Sequence, residues 1–513
     1  MNKLFIVTSL LFLTLLKNSE AQIGSQLLGS QPSYTNWYSI ENNAIKVIFP
    51  DSVTNEAQRI ANVINHIHQN ATTSIGAKSK KMDLVLNTNI ARANGYVMPM
   101  PLYSQFYATG FQNANTLSSL SWLDQLAIHE YRHSLQFVNT KLSAPDWFFE
   151  GDAVLAETIL SPAGRGRTPS FFEEQRALVL NDKHYSYKQA RNGSLKKMLP
   201  NHYPLGYALV NYGRNHFGVD LWSKVLEDAG KKNRFKPNSF SRSLARYTAL
   251  STPKLYQRAY QELKEQWEKE LDTLQLTPTK AITHANPGVV TNYLFPHVLS
   301  DGRILCLKKT YDETTKLITI KNGVETQLTS IGAATEPFLS VTNNKVAWTE
   351  LRKHARRDAV EYSVIMSVDL NTDSKKQLTS RSKYFSPAFS ASGDKLVAVE
   401  ANNYMQNRIN VVATDGAILQ TLPNPQNDFL SYPQWINQDS SIVYIAKRNS
   451  KVCMLKYDLH TQVTTPLTNW TSHAIGAYTV QQDLIYFGAS FSGINNIYVV
   501  KANGDKQIYQ LSS

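Results

Sequence analysis

Apolar and polar positions follow three different rhythms along the 513 residues. In Asn43–Phe49, Ile45, Val47 and Phe49 fall on one face of an alternating run, which predicts a strand. From Asn55 to about Ile75, Ile60, Val63, Ile64 and Ile67 recur at helical spacing. Met82–Leu86 predicts a second strand, and Gly95–Tyr107 is strand-like but carries Pro99 and Pro101. Proline cannot donate to a ladder, so that strand belongs at a sheet edge. Residues 121 to about 275 are mainly helical. Ser121-Trp122-Leu123-Asp124 has the form of a capping box, and periodic runs follow at Tyr207–Phe217, Leu221–Ala229 and Pro253–Leu274. Gln275–Pro287, with its Thr, Pro and Asn, predicts a linker.

From about residue 290 the chain repeats itself. A proline-centred turn precedes a short apolar strand in four units: Phe295-Pro296-His297, Glu336-Pro337-Phe338, Ser386-Pro387-Ala388-Phe389 and Tyr432-Pro433-Gln434-Trp435. Gly476-Ala477-Tyr478 marks a fifth unit without the proline. The spacings are 41, 50, 46 and 43 residues. Several units close alike, as at Gln327-Leu328-Thr329 and Gln377-Leu378-Thr379. A period of about 40–50 residues with several strands per unit indicates a β-propeller; a β-sandwich is the alternative. Ser386–Ala398 resembles the repeat of TolB-like propellers, with one residue more, Val397, before the alanine. The resemblance covers about residues 290–513; five units are counted here, enough to close a ring, whereas such propellers often have six or more blades, so a fragment or an open array is the alternative.

Composition narrows the setting. Met1-Asn2-Lys3, the apolar run Leu4–Leu16 and the small residues of Ser19-Glu20-Ala21 form a secretory signal peptide, expected to be cut after Ala21. An uncleaved anchor is the alternative. No later run is long enough to span a bilayer, so a secreted or periplasmic location without a transmembrane segment is expected. Cys306 and Cys453 lie far apart and read as free buried thiols. The net charge of +13 is diffuse, with its densest cluster at Arg352–Arg357. No basic run or nucleic-acid motif accompanies it, so nucleic acid is not an expected partner.

Chemistry concentrates in Ile128-His129-Glu130-Tyr131-Arg132-His133. On a helix, residues four apart share a face, so two imidazoles can grip one zinc ion while Glu130 reaches a metal-bound water. His-Glu-x-x-His alone arises by chance in roughly one chain in a hundred. Here it lies within an apolar periodic stretch, and Trp147-Phe148-Phe149-Glu150-Gly151 follows soon after. Sixteen residues separate His133 from Glu150, room for a loop and a second helix whose start brings Glu150 in as third ligand. Glu157, seven residues on, shares its face and can receive the other ring N–H of a ligand histidine.

The two motifs together resemble the gluzincin metallopeptidases, over roughly residues 40–275. The resemblance implies one Zn²⁺ per chain held by His129, His133 and Glu150, with Glu130 as catalytic base and Glu157 supporting a ligand histidine. It also implies an oxyanion-stabilising tyrosine in Tyr-x-x-Gly, which Tyr203-Pro204-Leu205-Gly206 matches. The spacing between the two metal motifs differs slightly from the best-known aminopeptidases. Their Gly-x-Met-x-Asn strand is also incomplete in Gly95-Tyr96-Val97-Met98-Pro99, which favours an endopeptidase. The fold class expected is multidomain α+β: a signal peptide (1–21), a zincin-like metallopeptidase domain of mixed sheet plus helices (22–275, active-site helix about 121–138), a linker (276–289) and an all-β propeller (290–513). The substrate is a protein or peptide, and an envelope protein or glycan is a further partner for the propeller. A catalytically inactive binding protein is the first rival. A propeller-bearing serine hydrolase of the prolyl oligopeptidase kind is the second, but it needs Gly-x-Ser-x-Gly. The nearest string, Gly488-Ala489-Ser490-Phe491-Ser492-Gly493, has the wrong spacing.

Overall fold

The computed structural model describes residues 32, 34–72, 74–76, 78–109, 122–140, 144–183, 185–194, 199, 201–231, 237–283, 289–335, 338–342 and 344–513. The signal peptide, Ser121, Glu336 and Pro337 lie outside the described residues.

The strand patterns near the N-terminus build one five-stranded sheet from β1 (Trp37–Glu41), β2 (Ile45–Pro50), β3 (Met82–Asn87), β4 (Ala93–Pro99) and β5 (Leu102–Ala108), in the order β1-β2-β3-β5-β4. β2 runs parallel to β3, and β3 to β5, while β1 and β4 are antiparallel to their neighbours. A parallel pair needs a crossover, and α1 (Thr54–Ile67) supplies it between β2 and β3. Ile45, Val47, Leu84, Leu86 and Phe106 are fully buried in one core with Ile60 and Ile64 of α1. The helix stops at Ile67, short of the predicted 75. Ala71 and Ile75 keep the four-residue spacing and are buried, but turns carry them: Ala71 and Ile75 amides bond to Ile67 and Thr72 carbonyls. The predicted strand Gly95–Tyr107 is two strands. Pro99 and Pro101 fall at or next to the turn between β4 and β5, and β4 is the sheet edge.

The helices follow as α2 (Trp122–Thr140), α3 (Asp146–Leu160), α4 (Glu173–Leu180), α5 (Tyr187–Asn192), α6 (His202–Phe217), α7 (Leu221–Lys231), α8 (Ser239–Thr248) and α9 (Thr252–Asp272). α6 starts a turn earlier than the periodicity indicates. Asn201 Oδ1 accepts the Tyr203 amide as its cap, and Pro204 is tolerated because first-turn amides need no helical partner.

The remainder is five four-stranded antiparallel sheets, each from consecutive strands. They are β6–β9 (residues 291–330), β10–β13 (340–377), β14–β17 (384–421), β18–β21 (429–466) and β22–β25 (475–510). The three proline turns within the described residues lie inside the first strand of a blade. The register shifts between Leu294 and His297, Phe385 and Ala388, and Ser431 and Gln434. Phe295, Ser386 and Tyr432, each directly before a proline, sit at φ of 54°, 48° and 52°. A residue without an N–H is accommodated by a bulge, where the ladder is interrupted anyway. A cavity of about 620 Å³ on the propeller axis is lined from all five blades, by Phe295, Phe338, Phe389, Trp435 and Tyr478 among others.

The expected fold class is thereby corrected. The chain is an N-terminal α/β region and a five-bladed propeller, and nothing identifies that region as a zincin-like domain standing ahead of the propeller. Nor does the region stand apart from it. Residues 87–91, which leave β3, are buried against the propeller: Ala91 belongs to a propeller core cluster. Asn87 Nδ2 donates to Ala359 O (3.3 Å), the Glu361 amide to Asn89 O (2.9 Å), and Arg92 pairs with Glu361 (2.9 Å).

Candidate functional site: a His-His-Glu cluster

α2 is buried on nearly every side in its middle, which is why its polar residues must find partners inside the protein. His129, Glu130 and His133 are 4%, 4% and 8% exposed. α3 begins at Asp146 after Pro145, and its second turn brings Glu150 against α2. His129 Nε2 lies 3.2 Å from His133 Nε2 and 3.2 Å from Glu150 Oε2, and His133 Nε2 lies 3.4 Å from the same oxygen. Among the described residues these three side chains are the group whose donor atoms could share a metal ion, all within 4.8 Å of one another.

The outer nitrogens are also engaged. His129 Nδ1 faces Glu157 Oε2 at 3.1 Å. Glu157 is 1% exposed and is held by Arg165, whose Nε and Nη2 reach its two oxygens at 2.7 and 3.0 Å. Arg165 Nη2 also approaches His129 Nδ1 to 2.8 Å. Burial and Arg165 push the His129 pKa down, but Glu150 and Glu157 outweigh them and hold it at about 9. Burial raises the Glu157 carboxyl while Arg165 and His129 draw it down to about 2. For Glu150 burial again opposes, and the two histidines beside it hold the carboxyl well below its ordinary range. His133 Nδ1 meets Gln136 Oε1 at 2.7 Å.

Glu130 is different. Burial pushes its pKa up, His133 and His129 pull it down, Glu150 adds to the rise, and the net shift is upward. Its Oε2 is buried with no hydrogen-bond partner among the described residues. β4 passes directly over it: a Cβ on Gly95 would come within 3.1 Å of Glu130 Cγ. Tyr203 stacks on His129 (6.0 Å between ring centroids, 16° between planes), and the Arg165 guanidinium lies 5.0 Å from its ring. Burial and Glu150 raise the Tyr203 phenol pKa, so it is protonated at neutral pH and can donate.

Every residue singled out from the sequence (His129, Glu130, His133, Glu150, Glu157 and Tyr203) thus lies in one cluster. Arg165, Gln136, Asp152 and Arg132 belong to it too and were missed. Arg165 opens a three-residue 3₁₀ turn after Gly164, too short to leave a periodic signal, and Gln136 and Asp152 look like ordinary helix residues.

Fold and site together define a β-propeller protein whose N-terminal α/β region carries a buried His-His-Glu cluster with an adjacent glutamate. No family model and no curated protein matches the chain. Among solved structures, the chain is similar to a puromycin-hydrolyzing peptidase of Mycobacterium tuberculosis (14% identity, TM-score 0.33, covering 44% of this chain and 38% of that one). It is similar to TolB from Acinetobacter baumannii (14%, 0.31, 51% and 60%) and to a putative TolB from Agrobacterium tumefaciens (10%, 0.35, 43% and 80%). The chain thus spans well under two thirds of the peptidase's length, and about three fifths of the first TolB. Likeness at this level carries no argument about activity.

Proposed function

We propose that the protein is a zinc-dependent peptidase that cleaves within protein or peptide chains outside the cytoplasm. The observation that carries this reading is the spacing of the three donor atoms. Tetrahedral zinc at about 2.0–2.1 Å from its ligands sets them about 3.3 Å apart, and the separations are 3.2, 3.2 and 3.4 Å. Two imidazoles and one carboxylate suit zinc, and the partnerless Glu130 oxygen beside them fits a group that handles a water. Zinc held there by His129, His133 and Glu150 would supply a Lewis acid and acidify a bound water.

The chain's own residues do the rest. Glu130 takes the proton of the attacking water and passes one to the leaving amine, and its raised pKa suits it to hold that proton between the two steps. Tyr203, protonated, donates to the oxygen on which negative charge develops. An extended substrate pairs its backbone with the free edge of β4, over Glu130. The incomplete amine-binding strand at Gly95–Pro99 favours internal cleavage, and the leader-like residues 1–21 favour export. The ring-lined mouth of the propeller offers a docking face for a protein or peptide.

The test is zinc per purified chain in the wild type, His133→Ala and Glu130→Gln, with hydrolysis of an unfolded protein as the second readout. About one zinc in the wild type and Glu130→Gln, little in His133→Ala, and hydrolysis reduced at least about 100-fold in Glu130→Gln are expected. A folded wild type that takes up no zinc when it is supplied would end this reading.

A further inference from the structure

The two histidines of the cluster have unlike partners on their outer nitrogens. His129 faces a carboxylate, Glu157, whereas His133 faces the side-chain amide of Gln136 at 2.7 Å. An amide can present either its oxygen or its nitrogen, so what fixes Gln136 decides which nitrogen of His133 carries the proton.

Two acceptors fix it. Gln136 Nε2 donates to Phe149 O (2.8 Å) and to Asp152 Oδ2 (2.8 Å). A backbone carbonyl and a carboxylate only accept here, so the amide nitrogen must face them and Oε1 must face His133. Asp152 is immobilised in turn by Arg132, whose Nε and Nη2 reach its oxygens at 2.7 and 2.8 Å. Arg132 also donates to Ser74 Oγ (2.6 Å) and to Ala71 O, which anchors it to the segment after α1. Gln136, Asp152 and Arg132 are 0%, 1% and 4% exposed, so water does not compete. The donor directions converge on Asp152: Arg132 and Gln136 both donate to it, and His133 in turn donates to Gln136.

We propose that Gln136, clamped by Asp152 and Arg132, is a positioning residue that holds His133 with its proton on Nδ1 and leaves Nε2 bare toward Glu150 and His129. The zinc-peptidase reading gives this its use, since only the bare nitrogen can bind a metal. The same clamp joins α2 to α3 two residues beyond Glu150, so it sets the third donor as well as the second. Gln136 touches neither the reacting atoms nor the three donor atoms, and it acts through His133.

The experiment is done on the full chain. Long-range ¹H–¹⁵N spectra of ¹⁵N-histidine-labelled protein, stripped with chelator and assigned with His133→Ala, report the His133 tautomer. Competition with a chromophoric chelator gives zinc affinity for the wild type and Gln136→Met. The expected results are an Nδ1–H tautomer in the wild type, loss of that preference in Gln136→Met, and zinc bound about 10–100-fold more weakly by that variant. A purely structural glutamine would change stability without moving the tautomer. An Nε2–H tautomer in the wild type overturns the proposal, as does unchanged zinc affinity in Gln136→Met. A wild type that takes up no zinc overturns the peptidase reading instead. The tautomer of the stripped wild type, which needs no variant to fold, then decides this proposal by itself.

Discussion

Tyr203 shows how a single residue's role is set by its surroundings. The ring stacks on His129 and has the Arg165 guanidinium 5.0 Å from its centroid, which fixes its direction. Burial and the nearby Glu150 carboxylate keep the phenol protonated. It can donate to a growing negative charge, and no other described part of the cluster offers an equivalent neutral O–H. Tyr203→Phe removes that oxygen and nothing else. The expected outcome is kcat lower by about 100- to 1000-fold with zinc content unchanged, measured by steady-state hydrolysis and metal analysis on the same preparation. Unaltered kcat would remove Tyr203 from the chemistry. The histidines and glutamates were legible because chemically distinctive residues recur at helical spacing, whereas Tyr203 was singled out only by the resemblance of Tyr203–Gly206 to a family motif. Arg165 was not, because its position depends on how the chain after Leu160 folds back onto Glu157.

Between elements, the decisive contact is the crossing of α3 and α6. A Cβ on Gly151 would lie 2.0 Å from the Gly206 carbonyl carbon, and one on Gly206 would lie 1.9 Å from Trp147 O. The helices therefore touch backbone to backbone, and this brings Tyr203, one turn before Gly206, up to Glu150, one residue before Gly151. The obstructing atoms are main chain, so they cannot swing aside as a side chain would. Gly206→Ala should push the helices apart, destabilising the protein by about 1–3 kcal/mol and separating Tyr203 from the cluster. Gly488→Ala is the control, because nothing lies within 4 Å of the added methyl. Thermal melting of both variants decides the matter, and equal melting temperatures would refute the close-approach argument. The glycines of Glu-Gly and Tyr-x-x-Gly are visible in the sequence, but that each answers the other is not.

At the scale of the molecule, the α/β region and the propeller are joined by buried polar groups. Lys383 of the third blade is 5% exposed and donates to Thr88 O. Burial pushes its pKa down to about 7, against the smaller opposing pull of Glu361. In the unfolded chain the value is about 10.4. The folded protein thus binds the proton more weakly, the penalty is fully present below about pH 7, and stability rises as pH climbs from there toward about 10. Lys383→Met removes the group that titrates. It should stabilise the protein relative to wild type at pH 7, by on the order of a few kcal/mol at most, seen as a higher melting temperature, with the advantage shrinking by pH 10. A constant difference between pH 7 and pH 10 would show that Lys383 is not held this way. This junction also explains the corrected fold class. Composition shifts suggested separate units, whereas Asn87–Ala91 crosses between them and is buried on the propeller side.

The sequence alone determined what depends on local order. Hydrophobic alternation set the strands, a 41- to 50-residue period set five blades, and i,i+4 spacing put His129 and His133 on one helical face. The tertiary structure decided whatever depends on groups remote in the chain. It turned the proline signals into bulges within strands, split Gly95–Tyr107 into two strands, and docked the sheet on the propeller. It also surrounded the histidines with Glu157, Arg165 and the Gln136–Asp152–Arg132 clamp. The physical reason is that a helix or strand is stabilised by hydrogen bonds and apolar periodicity written within a few residues. A buried polar group is instead satisfied by whichever partners packing brings to it, and the sequence carries no period for those.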